Sequence, residues 1–529
     1  MKKTLCALLC LLLAAGLVFA DDTLVNGKFK EKKSITVEIY DRSNDGGSKP
    51  EDNFFTDFIK QGMLRDHNVE VTYQRVPRWT EVEALNNLLA AGDAPDICVT
   101  YSYPTIQTYA NMGGVLDMAP YLSKYKSLLP DLWKLLGDHN IYYNRDPETG
   151  TVWAIEAILF NNSRTSTFVR EDWLKKLNLK EPTTLKEFEA MLQAFKKNAS
   201  KLLGADASKM IPFLTGVDIG WECGLIGDSF IPDKITDETW YINGFCDRHT
   251  LQPGWVNGLK VVNKWYNDGL VWKDFPLYPI GDKTAGNLER AGYVGSFIGN
   301  WDLPYRDGEQ GIHGQLKKNV GPDAAYIAVD CFKNDAGKYR KYLSAPVDRK
   351  VFFPATNDEP VASLLYLNWI SKFENRKFLQ FGEPGVHHEV QPDGALKTLP
   401  VKGEKIMNSG FNIDYTITIN GPDAGDPKKT ARSLALGYAG VDPRYIEKSY
   451  LIQRTDSRIG ASFKVGEIKS EEGQGPAFKE KRDNLLVQAV VAKPADFAKV
   501  WDKGMKDILA SGVQAIINER KEKLAALKK

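Results

Sequence analysis

Three short polar segments are spaced so that a parallel α/β layer would bring them to one edge. They are Asp41-Arg42-Ser43-Asn44-Asp45, Arg78-Trp79 and Tyr101-Ser102-Tyr103, and each follows a strand-like run, at 35–40, 69–76 and 96–100. Helical patterns separate the runs: Phe54, Phe55, Phe58, Ile59 and Met63 share one face, and Val82, Leu85, Leu88 and Leu89 another. The spacing of Thr80 and Glu83 predicts a cap for the second helix. Alternating strands and helices specify a parallel sheet with right-handed crossovers, and ligands of such sheets bind outside the carboxyl ends of the strands. The residue types suit one kind of ligand. Aromatic faces stack on flat C–H patches, and charged or planar groups make directed hydrogen bonds to a rim of hydroxyls. Asp41, Arg42, Asn44, Trp79 and Tyr101 are therefore candidate contacts. The plain alternative is a solvated turn for the polar residues and core packing for the aromatics.

Other chemistries find less support. His387 and His388 are adjacent, so on a strand they point to opposite faces and cannot chelate one ion together. Cys98, Cys223, Cys246 and Cys331 show no C-x-x-C spacing, which excludes the usual structural zinc patterns. No motif nominates two carboxylates for glycosidic hydrolysis, although an exported polysaccharide-active enzyme stays open as an alternative. Basic and acidic residues number 69 and 68, which argues against nucleic acid or an anionic membrane as partner. Lys2, Lys3, an apolar run over 5–19 and the small residues Val18 and Ala20 make residues 1–20 a secretory signal, cleaved after Ala20. Cys10 follows Leu8 and Leu9 too early for lipoprotein processing, so a lipid anchor is not expected. Export permits disulfides, with Cys223 and Cys246 the pair to name, while buried free thiols account for the cysteines equally well. Asn161-Asn162-Ser163 fits a glycosylation sequon that is too short to carry weight.

A second α/β layer begins at 165–195, where β-branched residues give way to Trp173, Leu174 and Leu177 on one helical face. Pro182 ends that helix, and Thr184 with Glu187 then forms a capping-box pattern before Leu185, Phe188, Leu192 and Phe195. With 529 residues the chain exceeds what one core supports, so two lobes are expected. The wording R-E-D-W-L-K-K-L-N-L, then E-P-T-T-L-K-E-F, over 170–188 resembles R-x-D-W-L-x-K-L-G-L-x-x-P-x-T-x-x-E-F of extracellular solute-binding proteins of family 1, the sugar receptors of ABC importers. Its LipO-type and alginate-oligosaccharide-binding branches are the most similar. L-L-A-A-G-D-A-P-D-I at 88–97, M-G-G-V-L-D-M-A-P-Y-L at 112–122 and F-G-E-P-G-V-H-H-E-V at 381–390 are similar to further segments of that family.

The resemblance implies an α/β, two-lobed periplasmic-binding-protein fold of type II, with a hinge and an interlobe cleft. Lobe 1 is expected over 34–155 plus 330–378 and lobe 2 over 158–328 plus 380–529, with crossings near Ile155, Ala328 and Phe378. It also implies a non-enzymatic role: a monomeric, periplasmic receptor that takes an oligosaccharide to an inner-membrane ABC permease; a peptide or other solute on the same scaffold stays open as an alternative. Trp153 and Glu156 lie where the family leads into its first hinge, and Asn300-Trp301 end the strand that brings a tryptophan to the cleft floor. These four join the candidate contacts. No cofactor is implied. Where relatives carry a calcium loop, residues 198–212 supply only the carboxylate of Asp206, so no calcium is expected there. Residues 421–475 match no family segment, and 500–529 read as one long helix.

Overall fold

The computed structural model describes residues 24–43, 48–159, 164–245, 248–343, 348–459, 463, 465, 468–471 and 474–527. The expected leader, Asn44, the 161–163 sequon and Cys246 lie outside them. In chain order the strands that organise the molecule are β1 (Lys33–Asp41), β2 (Val69–Pro77), β3 (Cys98–Thr100), β4 (Ile155–Glu156), β5 (Ile158–Leu159), β6 (Thr165–Arg170), β7 (Ile211–Leu214), β8 (Val294–Asn300), β9 (Tyr326–Val329), β10 (Lys341–Leu343), β11 (Lys350–Phe352), β12 (Ile419–Asn420) and β13 (Ser457–Ile459).

Lobe 1 is built on β1 and β2, parallel from Lys33 opposite Val69 to Asp41 opposite Pro77. β3 follows beside β1 through the parallel bridge of Val37 with Ile97, and β11 runs antiparallel between β3 and β4. The helix Phe54–His67 between β1 and β2 starts at Asn53, whose side chain accepts from the Phe55 and Thr56 N–H groups, while the Thr56 hydroxyl accepts from the Asn53 N–H. That reciprocal bonding satisfies donors a helix start leaves orphaned. The helix Glu81–Ala91 is entered instead through a tight turn, Arg78–Thr80, and Thr80 makes no side-chain cap, contrary to the Thr80/Glu83 spacing.

Lobe 2 holds a sheet in the order β9-β6-β8-β7, with β6 antiparallel to both neighbours and β8 parallel to β7. Every residue of β6 is buried, as a strand covered on both faces requires. The R-x-D-W wording now has a physical content. Arg170 is fully buried; it donates to both carboxylate oxygens of Asp172 at 2.8 Å and to the Gly292 carbonyl at 2.8 Å, and lies 4.6 Å from the Trp173 ring centroid. In the next helix, Leu185–Lys197, Thr184 accepts from the Glu187 N–H, but the Glu187 carboxylate turns to the Thr183 N–H and hydroxyl. Phe188, Leu192 and Phe195 join the core, as their spacing predicts.

The packing draws the lobes differently from the sequence-based boundaries. Phe332 and Tyr342 belong to the second core, Lys341 pairs with Asp330 and Arg340 with Asp233, so residues 330–343 sit with lobe 2. Phe378 lies 4.1 Å from Phe58, His387 stacks on Phe54, and Tyr415 and Ile417 fill the first core, so 380–417 sits with lobe 1. The third crossing accordingly falls near 420 rather than at Phe378, and the second follows β9, whose Ala328 lies within the lobe 2 sheet. Within 421–475, Gly421 and Asp423 bond to Gln380 and Arg376, while residues 427–459 find their place on lobe 2. The helices Pro427–Ala435 and Pro443–Ile452 cover the second core, and β13 pairs in parallel with β10. The C-terminal helix is interrupted: Phe497–Ile508 and Gln514–Ala526 are joined by a wider turn at Leu509–Val513, where Gly512 takes φ 115°. Cys98, Cys223 and Cys331 are buried free thiols, and burial raises the pKa of each.

Removing Asp172 would leave the Arg170 cation buried without its fork. Asp172→Ala is expected to lower unfolding stability by about 3 kcal/mol, measurable by urea titration, whereas Thr184→Ala is expected to cost only about 1 kcal/mol.

Candidate functional site

The connections define where the lobes face one another. The chain leaves β4 at Glu156 and enters β6 at Thr165, which stands opposite Asn300, the last residue of β8. Leu214 at the end of β7 lies beside Phe297 of β8, so the ends of β7 and β8 and the start of β6 share one edge. The corresponding edge of lobe 1 carries Asp41, Pro77, Thr100 and Glu156. Between the two edges the crossing segments are tied together. Ala157 donates to the Arg349 carbonyl at 2.8 Å, Asp348 to the Ala157 carbonyl at 3.1 Å and Ile158 to the Thr418 carbonyl at 3.0 Å, while β5 pairs with β12. The cleft lies beside this hinge.

On lobe 1 the candidate residues form one aromatic and cationic cluster. Tyr101 stacks on Tyr40 with 6.4 Å between ring centroids, and the Arg78 guanidinium lies over Tyr101 at 4.2 Å, Tyr40 at 5.1 Å and Trp79 at 5.4 Å. The cluster stands on the buried Glu81, which accepts from the Tyr40 hydroxyl, the Thr100 hydroxyl and the Tyr101 N–H. Trp79 is 75% exposed, the most exposed tryptophan in the described chain, and it lines an open groove with Arg78, Thr80, Glu83, Asn86 and Asn87. Asp41 accepts from the Ser43 N–H at 2.8 Å and lies 3.7 Å from Arg75. Arg42 is committed elsewhere: it donates to both oxygens of Asp414, at 2.6 and 2.9 Å. Glu156 is 1% exposed, accepts from the Asn144 amide at 2.7 Å and lies 3.6 Å from Lys350; burial raises its pKa. Trp153 packs against the small core around Leu85, Cys98 and Phe352.

On lobe 2, Asn300 is partly exposed at the strand end and Trp301 is 8% exposed. Trp301 meets Tyr450 and Tyr438 edge-on, at 5.2 and 6.4 Å, and its carbonyl accepts from the Ser449 hydroxyl. Its neighbour Asp302 accepts from the Tyr438 hydroxyl at 2.8 Å and pairs with Arg306. After β7 comes a second polar group. Arg248 lies over Trp221 at 4.9 Å and donates to Asp218 at 3.2 Å. Glu222 accepts from the Gly216 N–H and from the Thr215 hydroxyl, yet burial lifts its pKa to about 7. Burial lifts Glu289 to about 8, helped by the charge of Glu222. Among the described residues no group of three or more His, Cys, Asp or Glu side chains is disposed to hold a metal ion. His387 and His388 bond the Lys405 and Phe381 carbonyls instead.

The sequence therefore brings Asp41, Trp79 and Tyr101 together on lobe 1 and Asn300 with Trp301 on lobe 2. Arg42, Trp153, Glu156 and much of Trp301 are engaged inside the protein. Tyr40 and Arg78 sit at predicted strand ends and were within reach of sequence reasoning. Asp414, Trp221 and Arg248 were not, because each lies in a stretch without helical or strand periodicity.

This geometry defines a two-lobed solute-binding protein of the type II periplasmic class. The chain belongs to the family of bacterial extracellular solute-binding proteins, whose model matches residues 56–375; it is a binding protein, not an enzyme. It is similar to the polygalacturonan/rhamnogalacturonan-binding protein YtcQ of Bacillus subtilis, with 22% identity over 476 residues, 86% of this chain and 85% of that one. Lipoprotein LipO of the same organism is 25% identical over 225 residues, 40% of each chain. The fold is shared with an extracellular solute-binding protein from Bifidobacterium longum subsp. infantis, at TM-score 0.60 and 15% identity, covering 94% of this chain and 99% of that one. It is shared too with Streptococcus pneumoniae FusA in complex with kestose, at TM-score 0.56 and 14% identity, covering 94% and 100%. No described helix is long and apolar enough to cross a membrane.

Two outcomes follow from the packing. Trp301→Ala is expected to cost about 3 to 5 kcal/mol of stability in a denaturant titration, because its ring is walled by tyrosines. Glu289 binds a proton more tightly folded than unfolded, so its contribution to stability is present below pH 4.5 and is lost as pH rises toward about 8. Glu289→Gln is expected to flatten the decline of Tm over that window in thermal melts.

Proposed function

We propose that the chain is the periplasmic solute-binding component of an ABC importer, which closes its lobes on an oligosaccharide and presents it to an inner-membrane permease. The observation that carries this reading is Trp79, an indole left 75% exposed at a strand end of the cleft edge, beside Arg78 and Tyr101. An exposed aromatic face costs hydration unless a ligand covers it, and the C–H face of a sugar ring is a matching cover. Similar proteins, a polygalacturonan/rhamnogalacturonan-binding protein and one solved in complex with kestose, support a saccharide.

In this reading Trp79, Tyr101 and Asp41 meet the ligand from lobe 1, and Asn300 with the rim of Trp301 from lobe 2. Arg42, Trp153 and Glu156 hold the first wall in place from behind. Contacts from both lobes exist only when the cleft is closed, and that difference in affinity shifts the population toward the closed form. The receptor works as a monomer, without a cofactor, freed from its leader after Ala20.

A thermal-shift screen of the mature protein against neutral and acidic oligosaccharides, with peptides as controls, tests the proposal, since a ligand that binds only the native state raises Tm. A shift with saccharides is expected; a response to peptides alone would replace the cargo while keeping the scaffold. Trp79→Ala is expected to weaken saccharide binding by about 1 to 3 kcal/mol with almost no change in the Tm of the free protein.

A further inference from the structure

The arginines at the cleft edges are not equivalent. Arg42 forks onto Asp414, Arg248 donates to Asp218 and Arg306 pairs with Asp302. The Arg78 side chain has no hydrogen bond or ion pair among the described residues. Its guanidinium is held by ring faces alone, and its Nε is buried without an acceptor. Glu81 accepts from the Tyr40 and Thr100 hydroxyls and the Tyr101 N–H, and no hydrogen bond joins it to Arg78. Glu83, in the same groove, is exposed.

We infer that Arg78 anchors a carboxylate subsite, so that the saccharide taken by this cleft carries uronate residues; the inference rests on the saccharide-binding reading above. Ring faces 4.2 to 5.4 Å from the guanidinium carbon accept none of its N–H groups as a carboxylate would, and a carboxylate can take two of them in parallel. Closure sharpens the selection. As the lobes expel water, a neutral sugar would leave the Arg78 cation desolvated and uncompensated, whereas a uronate carboxylate supplies the missing charge and acceptors. Trp79 lies beside the guanidinium and covers the C–H face of the same or the next sugar ring. An acidic peptide offers the carboxylate without that flat C–H face, so the pairing of Arg78 with an exposed indole favours the saccharide.

The test is calorimetric titration of the mature protein with uronate trisaccharides (galacturonate, mannuronate and guluronate) and with their carboxyl-reduced neutral counterparts, alongside an acidic peptide. Wild type is expected to bind a uronate form on the order of 10- to 100-fold more tightly than its neutral counterpart, with affinity falling as salt rises. Arg78→Gln is expected to erase that preference, so that the uronate and neutral forms bind with equal affinity. Arg78→Lys, which keeps the charge but loses the planar fork, is expected to retain part of it. Equal binding of uronate and neutral forms by wild type would overturn the subsite while leaving the saccharide reading intact. A uronate preference that survives Arg78→Gln would overturn Arg78 as its anchor. Binding of the acidic peptide alone, or of no probe, would overturn the subsite and the saccharide reading together. Should Arg78→Gln melt well below wild type, the wild-type preference and Arg78→Lys decide.

Discussion

A guanidinium taken wholly out of water depends on the acceptors it can reach, and in this molecule that constraint acts at the hinge, through Nη2 of Arg349. Arg349 is fully buried where the chain re-enters lobe 1, one residue before the strand that faces both Thr100 and Glu156. It donates to the carbonyls of Ile413, Thr416 and Ile419, and lies 3.6 Å from Asp414, which is itself without solvent exposure. Losing those acceptors would leave a bare charge in a dry site, at a cost of several kcal/mol. The third crossing segment is thereby folded onto the first two, and Asp414 passes the constraint on to Arg42 at the cleft edge.

The cleft walls differ in how they are held. On lobe 1 the aromatic cluster stands on a buried carboxylate whose oxygens are satisfied, so Tyr40 and Tyr101 are fixed from behind and the exposed groups face outward. On lobe 2 the strand ends are backed by tyrosines and by acids that burial keeps hard to ionise. A pre-ordered wall lowers the entropy lost when a ligand arrives. The hinge, rather than the wall, is then where movement is accommodated.

Most of the fold was legible in the sequence because it is written in periodicity. The helix Phe54–His67, the strand over 165–170 and the capped helix behind Thr184 follow from spacing alone. The lobe boundaries were not legible, since Tyr415 and Ile417 reach the first core from an irregular stretch with no repeating pattern. Residues 421–475 failed for a related reason: the helices Pro427–Ala435 and Pro443–Ile452 are short, and β13 finds its partner in β10, more than a hundred residues earlier. Of the site, positions at strand ends could be read and side-chain commitments could not. Arg42 and Arg78 look alike as letters; only the structure shows that one is paired and the other is not.

The interleaving of the lobes has a consequence for biogenesis. The first core lacks Tyr415 and Ile417, and the second lacks Ala489 and Val490, until nearly the whole chain has been made. Contacts of such long sequence separation form slowly, because the intervening chain must first be brought together. Neither core is complete until those residues are in place. In a protein of an extracellular family, both cores thus wait on segments far along the chain.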